Sequence, residues 1–408
     1  MEYIPIDIVE GVPRRFTATE LDFSKIVSPN GVRYVLWIDS VGVDVTEFIK
    51  KSGGVLTVDG ESIVVEELFD SRPWLYARTL SIETVERYLR FLEPRCRALE
   101  GKRVVVAFSG GKDSTVAAYI AKLLAERLSY RIEAVYVHIP FLEPPENTIE
   151  AERIAKKLGI DLVVLEPPRR EVVRELMRSG LPRAGSRICT YLKVAPLRWR
   201  CRALEIDYEV VGDRVWEGGR RFDRLFLRTF RYGIFVSSRT GFTPIAPLTL
   251  LDVVALCRDL GTVHRLYLEG VQRVACRLCP HKSVYELYAV KQSLEDPGLI
   301  DAALRRDWRA RFADLGIDYE DFVRFHLWRF KPRFARAMHR AKLWAEKLID
   351  RGVDTVKAEE YVEKLREIWI REVLAPRIDF ERVFQVMESM SDRVAELIKR
   401  LRGGEESG

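Results

Sequence analysis

Asparagine and glutamine are almost missing from this chain: Asn30, Asn147, Gln272, Gln292 and Gln385 are the five among 408 residues. Depletion of heat-labile amides beside abundant Arg, Glu and Val points to a thermophilic source and says nothing of function. Long apolar runs are lacking too. No stretch reaches the roughly 18 residues that a spanning helix needs, so no membrane partner is expected. The start, Met1-Glu2-Tyr3-Ile4-Pro5-Ile6-Asp7, has neither a basic n-region nor a small-residue cleavage site, and the expected location is the cytoplasm. No charge sign dominates. Sixty-seven Lys and Arg face 61 Asp and Glu, a net +6, which permits an anionic partner without demanding one. Six cysteines do not make a secreted disulfide framework, so they read as ligands, reactive thiols or core residues, with internal disulfides open to a thermophile. Internal repeats and low-complexity tracts are absent as well.

What is present is soluble-globular in composition, 47% hydrophobic and 31% charged, with length for two or three domains. Residues 1–80 carry β-branched and aromatic runs at 33–38, 55–58 and 62–65, the last two joined by the hairpin signal Asp59-Gly60. They read as a small β-rich accessory domain. Ser81 caps a linking helix expected over 81–100, whose apolar stripe Ile82, Val85, Leu89, Leu92, Cys96 and Leu99 makes Cys96 a core thiol. From 101 to 282 strands at 104–108, 132–137, 162–165 and 208–212 alternate with helices near 114–129, 146–158 and 192–203. This pattern predicts a parallel sheet with helices on both faces and a ligand at the strands' carboxyl ends. Residues 283–408 form a helical C-terminal region, with segments near 283–293, 300–313, 319–345, 356–373 and 378–402, and a frayed tail from Gly403.

The chemistry begins at Ser109-Gly110-Gly111-Lys112-Asp113-Ser114, between an apolar strand and an amphipathic helix. Backbone N–H groups, a helix N-terminus, a lysine and two hydroxyls converge there, as phosphate binding requires. The spacing is neither that of a Walker loop nor that of a dinucleotide fingerprint. The stretch resembles the Ser-Gly-Gly-x-Asp-Ser signature of the PP-loop ATP pyrophosphatases. Four further segments resemble the phosphoadenosine-phosphosulfate (PAPS) reductase-like branch of that superfamily. They are Arg187-Ile188-Cys189 with Lys193-Val194-Ala195-Pro196-Leu197; Gly212-Asp213-Arg214 through Glu217 to Arg220, with Gly218 in place of serine; Pro244-Ile245 with Asp252-Val253; and Tyr267-Leu268-Glu269-Gly270 through Arg273 to Cys276-Arg277-Leu278-Cys279-Pro280. Together they span 104–282. The resemblance implies an adenine-nucleotide alpha hydrolase-like (PP-loop) α/β fold. It also implies an ATP site at Ser109, Gly110, Gly111, Lys112, Asp113 and Ser114 with Arg187, Lys193, Arg214, Arg220 and Arg273 as cations. Asp113 and Asp213 are candidates to hold Mg²⁺ with the phosphates. Lys112, Asp113 and Cys189 are the candidates for direct participation in chemistry.

Cys276-x-x-Cys279 has metal-ligand spacing. Iron–sulfur members of the family hold a [4Fe–4S] cluster with Cys-Cys and Cys-x-x-Cys. Here Ile188 and Thr190 flank Cys189, so three ligands are inferred: Cys189, Cys276 and Cys279. The fourth is Cys201, Cys257 or His281, or is left open for sulfur. Structural Zn²⁺ with His281 is the rival.

Three functions follow. The first is ATP-dependent adenylation with sulfur transfer to a nucleic acid (tRNA or DNA) or a small molecule. The second is reduction of phosphoadenylyl or adenylyl sulfate. The third is nucleotide binding without turnover. Family reductases carry a nucleophilic cysteine in a Glu-Cys-Gly-type tail and degrade the Gly-Gly-Lys-Asp loop. In this sequence no cysteine follows Cys279 and the loop is intact, which favours the first. A nucleic-acid partner is expected at 324–342, where seven Lys and Arg, four aromatics and no carboxylate occur, a pattern of cations and stacking groups. The alternative is an amphipathic helix with its aromatics packed inward. The sequence sets no oligomeric state.

Overall fold

A computed structural model describes residues 18–20, 22–28, 31–68, 79–183, 188–215, 235–237, 241–370, 377–385 and 388–389. Strands β1 (Ala18–Glu20), β2 (Phe23–Ser28), β3 (Gly31–Trp37) and β4 (Val41–Asp44) pair antiparallel in that order. β5 (Val55–Val58) and β6 (Glu61–Val64) form a separate hairpin. At its turn Asp59 and Gly60 both take positive φ, 48° and 77°, the geometry that a two-residue turn between twisted strands requires.

The expected helix 81–100 is shorter than its apolar stripe. Ser81 and Thr84 form a capping box, the α-helix covers Val85–Leu92, and two 3₁₀ turns follow. Pro94 explains the stop, because it has no N–H for the carbonyl of Arg90. Cys96 is fully buried, and burial pushes its thiol up to about 12.

Beyond lies the central sheet. β7 (Arg103–Ala107), β8 (Arg131–Val137), β9 (Leu162–Leu165), β10 (Tyr208–Val210) and β12 (Gly241–Phe242) are parallel in the order β9-β8-β7-β10-β12, and β11 (Val236–Ser237) closes one edge antiparallel. Val104, Val105 and Val106 are all buried, because helices cover both faces and leave no solvent side to alternate toward. Helices Lys112–Leu128, Pro145–Leu158 and Ile188–Ala203 match the expected ones within a few residues, and Arg169–Ser179 adds a helix that the sequence reading did not place. The chain winds from β7 outward to β9 and returns to the other side of β7 at β10. The carboxyl ends of β7 and β10 therefore flank the crevice where strand order reverses, the usual ligand position of such sheets.

The C-terminal region is helical, as expected, with two departures. The run 319–345 is divided into Tyr319–Arg324, a 3₁₀ turn at Leu327–Arg329 and Pro332–Ile349, because His326 adopts positive φ and Pro332 opens the last helix. Before the helix Ala358–Ile370, β13 (Thr355–Lys357) pairs with β4 and completes the N-terminal sheet as its fifth strand. Phe23, Leu36 and Val43 of that sheet share one core with Phe322, Phe325, Trp328 and Met338. Arg329 ties the two regions in the interior, its guanidinium paired with Asp22 and bonded to the carbonyl of Lys282 at 2.8 Å. Of the expected helix 378–402, only 378–385 and 388–389 lie within the described residues. Among the described residues no helix is long and apolar enough to cross a membrane.

Candidate nucleotide site and cysteine cluster

The loop after β7 turns at Gly110, whose φ of +68° favours glycine, and Gly111 caps the helix Lys112–Leu128. Its hydroxyls lock the turn. Ser109 N–H donates to Ser114 Oγ at 3.2 Å, the two hydroxyls lie 2.9 Å apart, and Ser114 Oγ donates to the Gly111 carbonyl at 3.0 Å. The helix N-terminus thus faces the crevice with its first N–H groups lacking intrahelical partners.

Asp113 gathers the cations. Its Oδ2 meets Lys112 Nζ at 2.9 Å and its Oδ1 accepts from Arg214 Nε at 2.7 Å. Burial alone would raise this carboxyl; the Arg214 and Lys112 charges overcome it and hold the group far below the usual carboxylate range. Each Asp113 oxygen already faces one cation and keeps a further lone pair. Gly212 brings the two segments together: a Cβ there would stand 2.7 Å from the carbonyl carbon of Asp113. Arg214 is nearly buried and Arg273 is exposed. Arg187 and Arg220 lie outside the described residues.

Three side chains under and beside the loop escaped the sequence reading or had another role in it. Tyr267 Oη accepts from Lys112 N–H at 3.1 Å, and its ring stacks on Trp369 with centroids 4.3 Å apart. No local pattern announces that contact, which crosses 102 positions. Cys257, a candidate ligand, instead donates its thiol to the Lys112 carbonyl at 3.7 Å, and burial with the nearby Asp113 charge pushes it up to about 12. His264 is buried against the loop; its Cδ2 would lie 3.5 Å from a Cβ on Gly110.

The thiols of the expected metal set occupy one neighbourhood. Cys276 is driven up by burial and by Glu143, with Lys193 opposing and the charges of Cys279 and Cys189 acting on it. Lys193 Nζ donates to Glu143 Oε1 at 3.0 Å, and Glu143 is buried. Burial would lower Lys193, but Glu143 first and then Cys276 and Cys189 leave it raised. Glu143 was invisible as a site residue: in Phe141-Leu142-Glu143-Pro144 it sits in a loop with no motif around it. The donor type suits a soft metal. As they stand, though, no group of three His, Cys, Asp or Glu among the described residues is placed to hold a metal ion. Cys201 does not join them. It lies 12 residues beyond Cys189 on the same helix, about 18 Å along the axis, and packs with Val105 and Leu197.

The basic-aromatic segment follows the inward-packed alternative for most of its rings. Phe325, Trp328 and Phe330 are buried, as are Arg329 and Lys342. Arg324 pairs with Glu346 and Asp39, and Arg336 with Glu61. Burying the rings gains more than exposing them for stacking, because they sit at the junction between the N-terminal sheet and the C-terminal helices. Three of the four rings are therefore interior, as in the inward-packed alternative, while Arg324, Lys331 and Arg333 stay exposed.

A loop carrying Ser-Gly-Gly-Lys-Asp-Ser at the switch point of a parallel sheet, opening a helix, is the arrangement of PP-loop enzymes. Residues 103–282 match the phosphoadenosine phosphosulfate reductase domain. Over 347 residues the chain is 25% identical to an uncharacterised protein of Methanocaldococcus jannaschii, covering 80% of this chain and 74% of the relative. It is 25% identical to a tRNA-cytidine(32) 2-sulfurtransferase of Vibrio cholerae over 50% of this chain and 67% of the relative. It is 31% identical to a tRNA-specific 2-thiouridylase of Thermus thermophilus over 29% of this chain and 38% of the relative.

Proposed function

We propose that this protein uses ATP to activate a carbonyl oxygen of an RNA base and replaces that oxygen with sulfur. The observation that carries the reading is the intact loop with Lys112 and Arg214 both anchored on Asp113 at the helix N-terminus. That arrangement supplies backbone donors and two cations for a β,γ-pyrophosphate, which a sulfonucleotide does not have. The likeness to two tRNA-thiolating enzymes supports RNA as the acceptor.

The base oxygen attacks the α-phosphorus of ATP, the bond to the β-phosphate breaks, and pyrophosphate departs. Hydrosulfide then adds to the adenylated carbon, the C–O bond breaks, and AMP leaves with the original oxygen. The hydrosulfide proton passes to solvent, and nothing is oxidised or reduced. In this reading the Gly110 and Gly111 backbone, Ser109, Ser114 and Lys112 hold the leaving pyrophosphate. Arg214 and Arg273, with Arg187 and Arg220 by sequence, bear on the nucleotide's charge, while Lys193 and Cys189 lie toward the sulfur end. Fixed donors aimed where negative charge accumulates are the main means of lowering such a barrier.

Cys189, Cys276 and Cys279 are proposed as ligands of a [4Fe–4S] cluster, with Zn²⁺ as the competing occupant. Iron and acid-labile sulfide in anaerobically purified protein support the cluster; stoichiometric zinc without sulfide, or no metal, overturns it. The function itself is tested by mass spectrometry of nucleosides from cells lacking the gene. Loss of one thionucleoside is the expected result, and an unchanged set of thionucleosides overturns RNA as the acceptor.

A further inference from the structure

With Phe325, Trp328 and Phe330 buried, exposed rings with cations beside them must be sought elsewhere. The helix Ile188–Ala203 is two-faced. Leu192, Pro196 and Leu197 are buried, and Cys189 and Lys193 lie on that same side, toward the cysteine neighbourhood. Tyr191, Arg198 and Arg202 fall within an arc of about 40° on the opposite side, and Trp199 stands at the edge of that face, next to Leu192, at 3.6 residues per turn. Tyr191 is 56% exposed and Trp199 59%, in residue types that normally hide most of their surface. Arg198 and Arg202 are exposed too. Among the described residues neither forms an ion pair, whereas Arg200 between them binds Glu133 at 2.7 Å.

We propose that this outer face of the helix binds an unpaired stretch of the RNA substrate. Trp199 and Tyr191 stack on bases while Arg198 and Arg202 meet phosphates. The inference rests on the thiolation reading and names where that substrate lies. Two guanidiniums without an ion pair among the described residues give the face a charge complementary to a phosphate backbone, and flat rings standing out from a convex helix reach bases not already stacked in a duplex. From Tyr191 to Arg202 the stripe runs about 16 Å along the axis, long enough for several nucleotides. Its first turn also carries Cys189, so RNA lying on it begins at the sulfur end of the site.

The test uses the full-length chain and a fluorescent stem–loop RNA, with a duplex of equal length for comparison, read by anisotropy. The stem–loop is expected to bind more tightly than the duplex. Trp199→Ala should weaken stem–loop binding at least fivefold. The double change Arg198→Glu with Arg202→Glu should weaken it further and flatten the plot of log affinity against log salt by about 1.4, two contacts at 0.7 each. ATP affinity should be unchanged in both variants, which shows that they fold. Variants that bind stem–loop as the wild type does overturn the surface and leave the thiolation reading standing. The same holds if they change only self-association, since the face would then serve a protein partner. A wild-type chain that binds ATP but neither RNA overturns both.

Discussion

The guanidinium of Arg214 reaches across 101 positions of sequence to donate from Nε to Oδ1 of Asp113 at 2.7 Å. The pair joins the ends of β7 and β10, the two strands on either side of the switch point, and it does so within the loop proposed to hold phosphate. Removing Arg214 leaves the Asp113 carboxylate with Lys112 as its remaining cation. Arg214→Met is therefore expected to lower unfolding free energy by about 3 kcal/mol, the low end for a broken buried pair because Lys112 remains. The double variant with Asp113→Asn should lose less than the sum of the singles. Urea denaturation of the four proteins measures this; strict additivity would show that the two residues do not act together.

Gly212→Ala probes the same junction from the backbone. Its new methyl would sit 2.7 Å from the carbonyl carbon of Asp113 and 2.9 Å from Ser114 N, neither of which can swing aside. A cost of about 1–3 kcal/mol is expected, together with weaker ATP binding, because the strand end must withdraw from the loop. Wild-type stability and affinity in this variant would mean that the close approach has no role.

Lys112→Ala tests where the phosphates sit. The lysine is held by Asp113 at 2.9 Å and lies over the Tyr267 ring, 5.8 Å from its centroid. ATP affinity measured by calorimetry should fall at least tenfold, about 1.4 kcal/mol, with the circular dichroism spectrum unchanged. An unaltered affinity would move the phosphate site away from this loop.

The parts of this architecture set by local chemistry were readable. Three consecutive valines at 104–106 signal a strand covered on both sides, Asp59-Gly60 fixes a hairpin, and the stripe through Cys96 places that thiol in the core. The turn at Ser109 to Ser114 was legible because its glycines and the helix that starts at Lys112 are local features. The failures lie where two readings share one pattern. Phe325, Trp328 and Phe330 among arginines look alike whether they stack on bases or fill a core, and only the arrival of Phe23, Leu36 and Val43 from the N-terminal sheet decides it. β13 is three residues long, too short for any periodicity, and pairs with a strand more than 300 positions away. Glu143 and Trp369 joined the site through long-range packing alone.

His264 gives the fold a pH signature. Burial pulls its pKa down to about 4, with Glu150 opposing and Arg153 adding to the shift, and its Nδ1 accepts from Leu266 N–H at 3.2 Å. An unfolded histidine titrates near 6.5. Between those values the unfolded chain holds more protons than the folded one, so stability is complete above about pH 6.5 and declines as pH falls toward 4. The loss from this group at pH 4 is on the order of 3 kcal/mol. His264→Asn keeps a capping acceptor and should flatten the decline. Urea midpoints from pH 4 to 7.5 for both proteins check it, and parallel curves would remove His264 as the cause.

The claim at the centre is that the loop holds the pyrophosphate of ATP rather than a sulfonucleotide. Titration calorimetry of the full-length protein with ATP and Mg²⁺, and separately with phosphoadenylyl sulfate, addresses it directly. Tighter binding of ATP, by at least tenfold, is the result this account predicts; tighter binding of phosphoadenylyl sulfate would contradict it.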